Sequence, residues 1–132
     1  MKTIELPFVL QLEKALRDKN PLLQVVLGPR QVGKTFGVRQ LLTKHYKKHE
    51  YHYANADEAV SVGLSWITER WQQARAQGHG TILVIDEIQK IPRWSDRIKT
   101  LFDEQQFEKI KIKCVLLGSS SLSLHQGLTE SL

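Results

Sequence analysis

The chain has 132 residues, 41% of them hydrophobic, which is enough to bury one core and makes a single domain. Nineteen Lys and Arg against fourteen Asp and Glu leave a formal charge of +5, which suits an anionic ligand, and no apolar run approaches the roughly 18 residues of a membrane span. The single cysteine, Cys114, excludes an internal disulfide framework and fits a reducing cytoplasm, while Glu5 and Pro7 interrupt the stretch where a secretory apolar core would stand.

In chain order, Pro7 suits the first turn of a helix in which Val9, Leu12 and Leu16 share a face, and Asn20-Pro21 ends it. That helix is expected to pack beside the first strand. Leu22 to Leu27 (LLQVVL) is a short apolar run of strand type. It leads directly into Gly28-Pro29-Arg30-Gln31-Val32-Gly33-Lys34-Thr35, which fits G-x-x-x-x-G-K-S/T, the Walker A phosphate-binding loop. An accidental match in a chain this long arises on the order of once in a few hundred. The strand before the motif and the helical pattern after it lower that further. In such a loop the glycines let backbone N–H groups turn toward phosphate oxygens, the lysine reaches the β- and γ-phosphates, and the hydroxyl holds Mg²⁺. The predicted cradle therefore comprises Gly28, Pro29, Arg30, Gln31, Val32, Gly33, Lys34, Thr35 and Phe36, with Thr35 as a metal ligand.

From Lys34 to about Lys48, Val38, Leu41, Leu42 and Tyr46 recur at helical spacing. Gly37 inside this helix costs about 1 kcal/mol relative to Ala, which close packing of the first turn on the sheet would explain. The cluster Lys44-His45-Tyr46-Lys47-Lys48-His49 reads as a solvated helix end whose cations suit the dipole. Nucleic-acid binding is unsupported, because no basic patch with interleaved aromatics continues along the chain. Glu50 to Ala54 (EYHYA) reads as a second strand near a sheet edge, with Tyr51 and Tyr53 on one side and His52 exposed. A helix follows with Leu64, Ile67, Trp71 and Ala74 on one face and Gly78-His79-Gly80 as its stop, leaving His79 in solvent. No set of His, Cys and carboxylates has the spacing of a protein-built metal site, so the expected metal arrives with the nucleotide.

Thr81-Ile82-Leu83-Val84-Ile85-Asp86-Glu87 places a fully apolar strand before two carboxylates, the form of a Walker B motif. Asp86 would hold Mg²⁺ through water, and Glu87 would orient or deprotonate the water that attacks the γ-phosphate. Trp94, Ile98, Leu101 and Phe102 then mark the core face of another helix, with Arg93 and Arg97 at the surface. Ile110 to Leu117 reads as a fourth strand running into the core, with Cys114 as inert packing and Gly118-Ser119-Ser120-Ser121 at its end. Ligands of open parallel sheets gather at the carboxyl ends of strands, so Ser119 or Ser120 could sense the γ-phosphate and help hold the attacking water.

The succession LGPRQVGKT, TILVIDEIQKIPRW, VLLGSSSL and a terminal TESL resembles the prokaryotic AAA-type ATPases whose N-terminal nucleotidase domain precedes a C-terminal domain of unknown function. The likeness covers nearly the whole chain. It implies a three-layer α/β P-loop NTPase of the additional-strand, catalytic-glutamate type, its parallel sheet showing strands in the order 1-4-3-2. Lys34, Glu87 and Ser119 would form the catalytic set, Thr35 and Asp86 the metal ligands, and ATP with Mg²⁺ the ligands. In such proteins the segment after ESL continues into a basic motif, a further strand, a lid and a second domain. Residues 1–132 therefore read as one ATPase domain truncated at its C-terminus, without its fifth strand and lid. An arginine finger located downstream or on a neighbour contributes about 10³ to 10⁵ in rate elsewhere, so turnover here is expected to be slow. A missing fifth strand would leave LLQVVL as an open edge and favour self-association, unless the N-terminal helix covers it.

Three functions share these motifs. The first is an ATPase module that turns hydrolysis into conformational change. The second is a nucleotide-binding interaction module with little turnover, disfavoured by an intact Glu87. The third is a small-molecule or nucleotide kinase, for which no arginine-rich lid is present. No N-K-x-D motif occurs, so adenine preference follows from the resemblance alone.

Overall fold

The run Ile82–Asp86 (ILVID) has no exposed position, so it must be covered on both faces, and the fold is arranged to do that. The computed structural model describes residues 7–20, 22–28, 33–58 and 63–119. The elements in order are α1 (Pro7–Leu16), β1 (Leu23–Gly28), α2 (Lys34–His45), β2 (Tyr51–Asn55), α3 (Leu64–Gln77), β3 (Ile82–Asp86), α4 (Trp94–Glu104) and β4 (Lys113–Ser119). The four strands form one parallel sheet in the order β1-β4-β3-β2, the order that the resemblance implied.

Two apolar clusters flank the sheet and make three layers. On one face α3 and α4 bring Trp66, Ile67, Trp71, Trp94 and Ile98 against Leu83, Ile85, Cys114 and Leu116. On the other, α1 and α2 bring Val9, Leu12, Leu16, Val38, Leu41 and Leu42 against Ile82, Val84, Val115 and Leu117. Alternate residues of β3 and β4 thus enter opposite clusters, as the period-2 geometry of a strand requires. Each such side chain stabilises the fold by about 1.5–3 kcal/mol relative to exposure. Burial also pushes the Cys114 thiol up, in keeping with a packing role.

Several boundaries differ from expectation for identifiable reasons. Helix α2 stops at His45, not near Lys48, because Tyr46 turns extended while its N–H still reaches the Leu42 carbonyl at 2.9 Å. Lys47 to Glu50 then closes its own turn, with the Lys47 N–H donating to Glu50 Oε1 at 2.8 Å. The fourth strand begins at Lys113 and not at Ile110, because the buried Gln105 amide occupies both backbone groups of Ile112, at 3.0 and 3.1 Å. It continues through Gly118 and Ser119, so Ser119 is strand and not loop.

Gly37 marks a close approach, but the neighbour is α1 and not the sheet. A Cβ at Gly37 would stand 2.8 Å from Val9 Cγ2. Helix α1 accordingly packs on α2 and contributes to the cluster over β3 and β4, rather than lying simply beside the first strand. On α3 Trp66 is buried as well as Trp71, while Leu64 is only half-buried. Arg97 is not left to solvent, since it donates to Thr68 Oγ1 at 3.2 Å and ties α4 to α3. Among the described residues no helix is long and apolar enough to cross a membrane.

Candidate functional site

Parallel pairing brings the ends of β1, β3 and β4 together, since Gly28 is level with Ser119 and Ile85 with Leu116. Gly33 then starts α2 from a left-handed conformation, φ 70°, which a residue with a Cβ adopts only at a cost of about 1–2 kcal/mol. Lys34 and Thr35 follow in the first turn, where the unpaired N–H groups and the helix dipole favour an anion. Lys34 is 3% exposed although it carries a charge. Pro29, Arg30, Gln31, Val32 and Ser120 lie outside the described residues.

The sequence-distant pair Thr35 and Asp86 meets directly. Thr35 Oγ1 donates to Asp86 Oδ2 at 2.7 Å, across 51 positions of chain. Asp86 is 1% exposed, and its other oxygen, Oδ1, accepts the Glu87 N–H at 2.8 Å. Glu87 itself takes up φ 57°, ψ 38°, one of two non-glycine residues with positive φ among the described residues. Strain of this kind, worth about 1–3 kcal/mol, concentrates at functional sites because only a surrounding structure with another purpose maintains it.

Two side chains at this site had no role assigned from the sequence. Tyr53 lies on β2 level with Val84, and the strand period puts it on the same face as Asp86 two residues further on. Its hydroxyl donates to Asp86 Oδ2 at 2.6 Å. Arg39, one helical turn after Thr35, stands 4.8 Å over the Tyr53 ring. Burial, followed by the hydrogen bond to Asp86, holds the Tyr53 phenol well above its ordinary range, so it is protonated and a donor. The only sequence signal is strand alternation, which puts Tyr53 on one side with Tyr51.

Gln89 is the second. Its Nε2 donates to Glu87 Oε2 at 2.7 Å, and its Oε1 accepts the Ser119 N–H at 3.3 Å, so one amide connects the ends of β3 and β4. Ser119 Oγ is buried without a hydrogen-bond partner. The turn Ile88–Lys90 that carries Gln89 is anchored by buried Ile88 and by a Lys90–Asp57 ion pair.

Beside Lys34 and Thr35 a cavity of about 700 Å³ opens, lined by Gly33, Lys34, Thr35, Phe36, Arg39, Gln40 and Thr43. Its size falls in the range of small-molecule sites. It runs along the outer side of α2, where Phe36 is 66% exposed. Asp86 and Glu87 are not part of its described lining; the buried Asp86 carboxylate accepts the Thr35 and Tyr53 hydroxyls. Of the two histidines expected in solvent, His79 is exposed and its Nδ1 accepts the Lys111 N–H at 3.1 Å. His52 is instead half-buried with Nε2 unpartnered, and burial followed by the Arg70 charge lowers its pKa. Among the described residues no group of three or more His, Cys, Asp or Glu converges as a metal site.

Comparison with known proteins places this geometry in a family. Residues 20–132 match the model of an AAA domain. The chain is 27% identical over 112 residues to an uncharacterized protein of Methanocaldococcus jannaschii, MJ1544, a match that covers 83% of this chain and 24% of that protein. The chain thus spans about a quarter of the length of the curated relative it matches.

Proposed function

The chain belongs to the AAA domain family, a family of nucleotide-binding ATPase-like domains, and on that premise we propose that it binds Mg²⁺-ATP and hydrolyses it to ADP and phosphate. The observation that carries this reading is the 2.7 Å hydrogen bond between Thr35 at the start of α2 and Asp86 at the end of β3. A hydroxyl and a carboxylate brought together at a helix N-terminus, with a buried lysine alongside, match the requirements of a phosphate chain and its cation.

The donor set fits Mg²⁺, which takes hard oxygen ligands, keeps several waters and is usually held by one or two carboxylates plus phosphate. Thr35 and Asp86 would hold it, and when bound it would neutralise charge on the phosphate oxygens. Lys34 adds a point charge toward the β- and γ-phosphates, within the cradle from Gly28 through Phe36. Glu87 accepts the proton of the attacking water as the new bond to the γ-phosphorus forms and the bond to the bridging oxygen of ADP breaks. Gln89 fixes the orientation of the Glu87 carboxylate. Ser119, whose hydroxyl is unpartnered, supplies a polar group near the transferred phosphate. A cytoplasmic setting suits both the nucleotide and the single reduced cysteine.

Calorimetry with Mg²⁺-ATP beside a phosphate-release assay tests the reading. Lys34→Ala is expected to lose about 1.5–3 kcal/mol of binding, roughly ten- to a hundredfold in Kd. Glu87→Gln should retain binding and lose about 10² to 10⁴ in kcat. Tight binding by every form with no release in wild type would instead establish a nucleotide-binding interaction module.

A further inference from the structure

The Asp86 carboxylate has about four acceptor positions, and the donors around it occupy three. Oδ2 accepts both the Thr35 and the Tyr53 hydroxyls, at 2.7 and 2.6 Å, and Oδ1 accepts the Glu87 N–H at 2.8 Å. With Asp86 1% exposed, water does not compete for these positions. We propose that Tyr53 is a positioning residue of the cation site, one that saturates Oδ2 and leaves Asp86 a single contact to offer, through Oδ1. The inference rests on the reading that Thr35 and Asp86 hold a divalent cation with nucleotide.

Saturating Oδ2 has two chemical consequences. The Thr35 hydrogen stays committed to Asp86, which leaves the Thr35 oxygen lone pairs for the cation. A carboxylate restricted to one contact also suits Mg²⁺, which demands near-ideal octahedral geometry, and disfavours Ca²⁺, which accepts bidentate carboxylates and six to eight ligands. Tyr53 is therefore a determinant of cation choice. Arg39 holds its ring from above, and β2 fixes its distance to β3 through the backbone ladder. Partners that orient a metal-binding carboxylate typically change metal affinity about 10–100-fold when removed.

The test uses Mn²⁺ binding to the protein–ADP complex, followed by electron paramagnetic resonance, with Mg²⁺ and Ca²⁺ as competitors. Tyr53→Phe, which keeps the ring under Arg39, should lower the ratio of Mg²⁺ to Ca²⁺ affinity at least tenfold. ADP affinity measured in EDTA should stay within twofold of wild type, which a general structural defect would not allow. An unchanged cation ratio in Tyr53→Phe, with Mn²⁺ bound normally, overturns the inference and leaves the site reading standing. A wild-type ADP complex that binds no Mn²⁺ overturns both. Should Tyr53→Phe fail to fold, wild type labelled with 3-fluorotyrosine and assigned with Tyr46→Phe and Tyr51→Phe decides the matter. Mg²⁺ added to its ADP complex must shift the Tyr53 fluorine resonance, and an unmoved resonance refutes the proposal.

Discussion

Glu87 holds its left-handed backbone between two neighbours, the Asp86 carboxylate accepting its N–H and the Gln89 amide donating to its side chain. The adjacent carboxylates therefore have different surroundings, as the roles proposed for them require: Asp86 is buried and accepts two hydroxyls, while Glu87 is half-buried and held by an amide. Away from the site, His52 makes a prediction about pH. Its folded-state pKa lies below the unfolded value of 6.5, owing to burial and then to Arg70. The unfolded chain thus binds more protons in the interval between the two values, and stability rises with pH there. The stabilisation from a neutral His52 is fully present above about pH 6.5 and is lost as pH falls below it. Urea midpoints at pH 7.5 and 5.5 should fall further in wild type than in His52→Gln, and equal drops in the two proteins would contradict the assignment. The motif residues at this scale were legible in the sequence because each belongs to a short contiguous pattern. Tyr53 and Gln89 were not, because their partners stand on other strands or across a turn.

Helix α2 shows how an element balances propensity against packing. A glycine in its interior forfeits about 1 kcal/mol of helix stability, yet the contact of Gly37 with Val9 requires it. Gly37→Ala regains that propensity and drives a Cβ into a β-branched side chain with little rotamer freedom, an overpacking cost of about 1–3 kcal/mol. The expected result is a net destabilisation of about 1 kcal/mol, read from denaturant unfolding. In a Val9→Ala background the same change should become stabilising, and a loss of equal size in both backgrounds would place the strain elsewhere. Helices were legible from their 3.6-residue pattern in four of four cases, at Pro7–Leu16, Lys34–His45, Leu64–Gln77 and Trp94–Glu104. Their ends and the start of β4 were less so, since Glu50 and Gln105 set them through side-chain bonds to backbone that periodicity does not encode.

Across the whole molecule, β3 and β4 are enclosed by two helical layers, whereas β1 has a strand neighbour on one side only among the described residues. Its Leu23 and Val25 are half-buried, and an apolar strand with unpaired backbone groups along one edge is a template for pairing. Sedimentation of this chain is expected to show concentration-dependent association, reduced by Gln24→Lys, which puts a charge on the edge. A monodisperse wild-type monomer would refute that expectation. The sequence by itself determined the α/β class, the parallel strands and where Gly33, Lys34, Thr35, Asp86 and Glu87 fall relative to strand ends and the helix start, because hydrophobic period and short contiguous patterns are local properties of the chain. The resemblance it carried also implied the β1-β4-β3-β2 order that the sheet adopts. Only the tertiary structure decided that Tyr53 shares Asp86 with Thr35, that Gln89 joins Glu87 to Ser119, and that α1 sets the glycine in α2. The Thr35–Asp86, Tyr53–Asp86 and Gln89–Ser119 contacts join residues 30 or more positions apart, and a register shift of one residue in β2 would turn Tyr53 to the opposite face; Gln89 meets Glu87 across a turn, and Val9 meets Gly37 only because two helices pack.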